Sequence, residues 1–171
     1  GATEQSTPPP LTREERLAEL AKDHIDHDGI PNDGTRREAE VGLGLEERGD
    51  VPGPIRRPAK GDGHSGDFVD GKGRDWDVKA ERSRDRLIQE IKANARAAGK
   101  REPKLDANKR IEGEFELDKV LTVVEREFAT KEGVMFDTRG LNDADLQALR
   151  AALAEKARFD PRYKELVRFY P

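Results

Sequence analysis

Apolar residues recur along this chain in two different periods, and the switches between them divide it into elements. Leu17, Leu20 and Ala21 make a short helical stripe within 11–22, and Val41 and Leu45 mark a second helix over 36–49. Across 66–80 the period drops to two. Gly71-Lys72-Gly73 is a natural hairpin tip, so the spacing predicts Gly66–Asp70 paired antiparallel with Asp75–Ala80. Period two then sets Asp75, Asp77 and Lys79 on one face of the second strand and Trp76 and Val78 on the other.

Helical spacing returns over 84–99, with Leu87, Ile88, Ile91, Ala95 and Ala98 in line and Gly99 as the C-cap; this helix is expected to pack on the sheet. A further helix over 116–131 buries Leu117, Val120, Leu121, Val124 and Phe128. Gly133–Thr138 reads as a buried strand ending in a turn, where Asp137 serves local capping. Asn142 or Asp143 then caps a helix through Lys156 that turns Leu146, Leu149 and Leu153 inward. The aromatic tail, 158–171, finishes the core or covers an edge. Strands separated by helices predict an α/β (α+β) fold, a small mixed β-sheet flanked by helices.

Composition narrows the picture. At 171 residues with 33% hydrophobic positions, the chain can bury one small core under a highly charged surface. It has no cysteine, which excludes disulfide staples and thiolate metal sites. No apolar run approaches the ~20 residues of a membrane span, and the N-terminus lacks a signal-peptide pattern. Residues 1–10 end in a run of prolines and read as an extended linker, the junction with something upstream. Residues 11–34 hold a helix and a polar turn, and 35–171 form the main domain. The net charge is −4, yet Lys79–Arg110 carries eleven Lys and Arg against five Asp and Glu. Phosphates respond to such a local field and not to the total.

Two segments invite a metal reading. Asp23-His24-Ile25-Asp26-His27-Asp28-Gly29 fails the EF-hand register, because it sets His24 and Thr35 where acidic ligands are required; His24 and His27 lack a third zinc ligand, and a polar turn is preferred. The hairpin is stronger. Asp77 and Lys79 can lie beside Asp67 at the strand ends, two hard oxygen ligands for Mg²⁺ or Mn²⁺ with an ammonium next to the water that the metal activates.

Asp67 followed by Asp77-x-Lys79 resembles the PD-(D/E)xK nuclease superfamily of restriction and Holliday-junction enzymes. The resemblance extends to the helix before the hairpin, where these nucleases often carry a metal-site glutamate: Glu38 is the first choice, then Glu40, then Glu46. Ile55-Arg56-Arg57-Pro58 and the Gly-rich 61–66 look like the lead-in to the first metal Asp, with Gly66 replacing the usual proline. The resemblance implies a restriction-endonuclease-like fold over 35–171 and a Mg²⁺-dependent endonuclease. Glu38, Asp67 and Asp77 with the Val78 carbonyl would be its metal ligands, and Lys79 would act on the water. It also implies contacts to nucleic acid from the following helix, at Arg84, Gln89 and Lys92.

A cysteine-free, Gly/Asp/Arg-rich module behind a Pro-rich junction further resembles the C-terminal toxin domains of bacterial polymorphic and contact-dependent growth inhibition systems. That likeness implies delivery as part of a larger secreted or cell-surface protein, action on DNA or tRNA in the target-cell cytoplasm, and a cognate immunity protein. The competing expectation is a non-catalytic binding module, in which 66–79 is a solvated hairpin and the basic 79–110 region docks on a protein or nucleic acid. An immunity or adaptor protein suits the acidic total but gives no reason for the order of Asp67, Asp77 and Lys79.

Overall fold

A computed structural model of the chain describes residues 8–171. The expected linker thus lies mostly outside the described residues; Pro8, Pro9 and Pro10 are exposed and join no regular element. The order is α1 (Arg13–Leu20), α2 (Asp33–Glu47), β1 (Phe68–Val69), β2 (Asp75–Ala80), α3 (Arg84–Ala97), α4 (Leu117–Ala129), β3 (Gly133–Asp137), α5 (Asp143–Ala157), α6 (Arg162–Glu165) and β4 (Val167–Tyr170). The fold is α+β, built on one four-stranded mixed sheet of order β1-β2-β3-β4. No helix among the described residues is long and apolar enough to cross a membrane.

The hairpin closes where the glycines predict, with Phe68 opposite Trp76 and Val69 opposite Asp75. Its first strand is shorter than expected: Asp67 and Asp70 still donate their backbone N–H groups across the hairpin, but regular pairing stops at Phe68 and Val69. The Asp70 carboxylate accepts the Lys72 and Arg74 backbone N–H groups and the Trp76 indole N–H, at 2.8, 3.0 and 3.0 Å, which closes the turn. The lead-in segment bridges to β1 where Arg56 and Val69 exchange backbone hydrogen bonds of 3.0 and 2.8 Å, and Arg57 lies over the Phe68 ring. From β2 onward the sheet is parallel, with Asp77 beside Val134, Lys79 beside Phe136, and Phe136 beside Phe169.

Each sheet face buries its own core. Trp76, Phe68 and Met135 pack with Ala39, Val41, Leu43 and Leu45 of α2 and with Leu20 and Ala21 at the end of α1. Through Leu20 and Ala21 the N-terminal helix thus shares a core with α2 and the sheet. The helix α2 lies close to the sheet because Gly42 has no side chain: a Cβ there would stand 2.7 Å from Ile55 and 2.9 Å from the Phe68 ring. On the opposite face, Val134, Phe136 and Val167 meet Val120, Val124 and Phe128 of α4 and Leu149 and Leu153 of α5. The tail adds Tyr163 and Leu166 to this core and supplies edge strand β4, so it does both things expected of it.

The helix α3 has nearly the expected extent but buries only Leu87, with Ile88 and Ile91 half-covered. It does not lie down on the sheet as predicted. Beyond Ile91 its stripe is alanine, which offers little area to remove from water. At Gly133 the packing tolerates no side chain, since a Cβ would stand 2.5 Å from the Trp76 ring, itself 1% exposed. Gly133→Ala is expected to cost about 1–3 kcal/mol through overpacking, lowering the melting temperature by roughly 2–4 °C per kcal/mol, measurable by calorimetry.

Candidate functional site

Strand β2 places the candidate side chains. Trp76 and Val78 face the α2 core, so alternation turns Asp75, Asp77 and Lys79 toward α4. Each meets a polar partner there. The Asp75 carboxylate lies 2.9 Å from His64 Nδ1, and Lys79 Nζ lies 3.3 Å from Glu127 Oε1. Asp77 sits between Glu127, in the last turn of α4, and Glu132, which precedes β3. The two glutamates are drawn together by a tight turn in which Lys131 takes a φ of 63° and the Glu132 N–H donates to the Glu127 carbonyl at 2.9 Å. The Ser65 hydroxyl donates to Glu132 at 2.6 Å.

Asp77, Glu127 and Glu132 each offer a carboxylate oxygen within 4.8 Å of the others. Burial first, then the hydrogen bonds to Glu127 and Glu132, push the Asp77 carboxyl up to about 9. Burial also raises Glu132. Burial alone would raise Glu127, but hydrogen bonds from Asp77 and Glu132 and the Lys79 ammonium outweigh it and bring the group down to about 2. The cluster thus shares a proton where three isolated carboxylates would all ionise. Its donors are hard oxygens of the kind Mg²⁺ and Mn²⁺ prefer, so the chemistry of the set fits the expected cation.

The other half of the site gathers where β1 ends. The Asp67 N–H donates to the Trp76 carbonyl and its Oδ2 accepts the Val78 N–H, both at 2.8 Å, so a side chain continues the ladder in place of a strand. A strand residue points its N–H and C=O toward the same edge, and the Val78 carbonyl therefore faces this gap too. Burial pushes Asp67 up, against the opposing effects of the Val78 hydrogen bond, Arg57 and Lys79. Burial and then the Asp67 charge push Glu38 up.

Arg57, 7% exposed, donates to the Leu20 carbonyl at 2.6 Å, the Thr35 carbonyl at 3.3 Å and Glu38 at 3.2 Å. It holds α1, α2 and the lead-in segment together beneath this corner. The 23–29 segment is a polar turn, as expected: Asp23 accepts the Ile25 and Asp26 N–H groups, while His24 and His27 are exposed.

The expected quartet therefore forms a chain instead of a single cluster. Glu38 lies on the α2 side and Asp77 with Lys79 on the α4 side; Asp67 stands at the sheet edge between them, and its charge acts on all three. The lower-ranked glutamates are engaged elsewhere, Glu40 with Arg139 and Glu46 with Arg16 and the Ile55 N–H. Glu127 and Glu132 are not singled out by the sequence. Their signal is position, at the helix end and strand start flanking 130–131, but it has meaning only once β3 is known to pair with β2.

On α3, Gln89 is exposed and Lys92 half-buried, whereas Arg84 is occupied by Glu114 at 2.9 Å and by the Lys109 and Asp106 carbonyls at 2.8 and 2.9 Å. Arg84 thus pins the 106–114 loop. Asp137 binds the Arg139 N–H and guanidinium, the local turn chemistry expected of it.

Compared with protein-family models, with curated proteins and with solved structures, the chain matches none.

Asp77 binds its proton more tightly folded than unfolded, so the folded chain carries the excess proton from about pH 4 up to about 9, and stability falls as pH rises through that window. An asparagine amide can donate where the protonated carboxyl does. In EDTA, Asp77→Asn is expected to be more stable than the parent at pH 8, by about 1 kcal/mol, with a flatter pH profile between 6 and 9. Thermal melts across that range provide the check.

Proposed function

We propose that the chain is a divalent-cation-dependent endonuclease hydrolysing phosphodiester bonds in DNA or tRNA, a member in kind of the PD-(D/E)xK nucleases it resembles. The observation that carries this reading is the acidic cluster around Asp77 on a central strand, short of positive charge and with Lys79 beside it. Carboxylates gathered at partial burial are costly unless a proton or cation joins them. Mg²⁺ or Mn²⁺ would be held by Asp77 together with Asp67, Glu38 and the Val78 carbonyl, as the resemblance implies, or together with Glu127 and Glu132. A cation so held supplies Lewis-acid activation of water and neutralises charge gathering on the phosphate.

The protein's own groups do the rest. Asp77 and its acidic neighbours would give up their shared proton on holding a cation. Lys79 then presents an ammonium to the attacking water or the phosphate. Of the α3 groups that the resemblance names for contact with nucleic acid, Arg84 is held by Glu114 and Gln89 and Lys92 stay candidates. The composition and Pro-rich lead support the further reading that the chain is the toxic module of a larger delivered protein, acting in the cytoplasm of the target cell. The producing cell is then protected by an immunity protein.

The test is incubation of the chain with plasmid DNA and with total tRNA in Mg²⁺, Mn²⁺ or EDTA. Cleavage is expected with metal and not in EDTA. Asp77→Asn and Asp67→Asn should reduce it by about 10³-fold, the scale of a single charge-stabilising group in an active site. A loss of cleavage in Glu38→Gln but not Glu127→Gln would select the first ligand set, and the converse the second. No metal-dependent cleavage by the folded chain would favour the non-catalytic binding module.

A further inference from the structure

A groove of about 1050 Å³ runs from the hairpin tip across the turn between α4 and β3 to the tail. Its cationic lining is Lys72, Arg74, Lys131, Arg162 and Arg168. Lys72, Arg74 and Lys131 are exposed and have no carboxylate partner among the described residues. Arg168 donates to the Asp50, Lys164 and Val167 carbonyls, at 2.7, 3.0 and 2.8 Å, and lies over the Trp76 ring; the Asp50 charge favours it and the Arg74 charge opposes it. Of these five, Arg162 alone forms a direct ion pair among the described residues, with Asp160.

Two carboxylates line the groove with these five cations and offset them only in part. Asp70 is spent on its three N–H donors and Asp75 is paired with His64. The groove therefore keeps an excess of cations over carboxylates, beside a cluster in which carboxylates outnumber cations.

Two structural links join them. Asp75 lines the groove and sits two residues before Asp77 on the same strand face, about 7 Å away along the strand. Lys131 lines the groove and lies between Glu127 and Glu132 in sequence. We infer that this groove, and not the α3 face, carries the phosphodiester backbone of a nucleic-acid strand and leads it to the Asp77 cluster. The choice of ligand rests on the nuclease reading. The apolar lining residues Trp76 and Phe128 are buried at 1% and 4% exposure, so no ring is presented for a base to stack on. The contact is to phosphates, which positions a strand without reading its sequence.

The experiment measures binding of fluorescein-labelled single-stranded and duplex oligonucleotides by anisotropy in EDTA, across a salt series. It compares the parent with Lys72→Glu/Arg74→Glu/Lys131→Glu and, as the rival surface, Arg86→Glu/Lys92→Glu/Lys100→Glu. Circular dichroism confirms folding, and the corresponding Gln triple replaces any charge-reversed variant that fails it. The groove variant is expected to lose at least tenfold in affinity at low salt and about 3 in the slope of log K against log salt.

No binding by the parent, unchanged binding by the groove variant, or a larger loss in the α3 variant overturns the inference. So does equal displacement of the oligonucleotide by poly-glutamate at matched charge, which would make the groove a docking face for an acidic protein. The two readings fail separately. A chain that binds through the groove yet never cleaves removes the nuclease assignment, while cleavage with unchanged affinity in the groove variant removes the groove.

Discussion

Strand β2 has to satisfy two incompatible surroundings at once, and the rest of the structure depends on how it does so. It is paired on both edges, and one of its faces closes the core under α2 through Trp76 and Val78. The other face carries Asp75, Asp77 and Lys79 toward α4. Charges in such a place must be partnered, neutralised or protonated. The fold answers with His64 for Asp75, Glu127 for Lys79, and a shared proton for Asp77. The first is a hydrogen bond and the second an ion pair; the third leaves an electrostatic demand that a cation would meet.

The corner occupied by Asp67 arises from the same strand. With β1 reduced to Phe68 and Val69, the Val78 N–H would lose its ladder partner, and the Asp67 carboxylate takes it. That substitution holds a charged group in the plane of the sheet, where it acts on both Glu38 above and Asp77 below. Arg57 balances this corner while tying α1, α2 and the lead-in segment to it. The polar centre is therefore bound into the scaffold instead of resting on its surface, and the two apolar cores on either side fix its geometry.

Charge is distributed with a similar logic. Much of the basic 79–110 stretch is consumed internally: Arg82 pairs with Glu90, Arg84 with Glu114, Arg96 with Glu102 and Arg110 with Glu116. Exposed pairs of this kind contribute little to stability, but they remove cations from the surface field. Lys72 and Arg74 at the hairpin tip and Lys131, remote from them in sequence, line one groove without such pairing. A linear charge count finds the first group and misses the second.

Sequence alone determined whatever depends on near neighbours. The hairpin at Gly71-Lys72-Gly73, the two faces of 75–80, the helix at 84–97 and the Asn142 cap all arise from glycine conformation, side-chain period and local hydrogen bonds. The parallel partners of β2, the standing-off of α3 and the arrival of Glu127 and Glu132 beside Asp77 were decided by tertiary structure. Parallel pairing joins segments separated by two helices, and no local period encodes which strand will lie alongside. The reach of Asp67 toward both faces was settled in the same way, because it depends on where β1 stops and not on which residue stands at position 67.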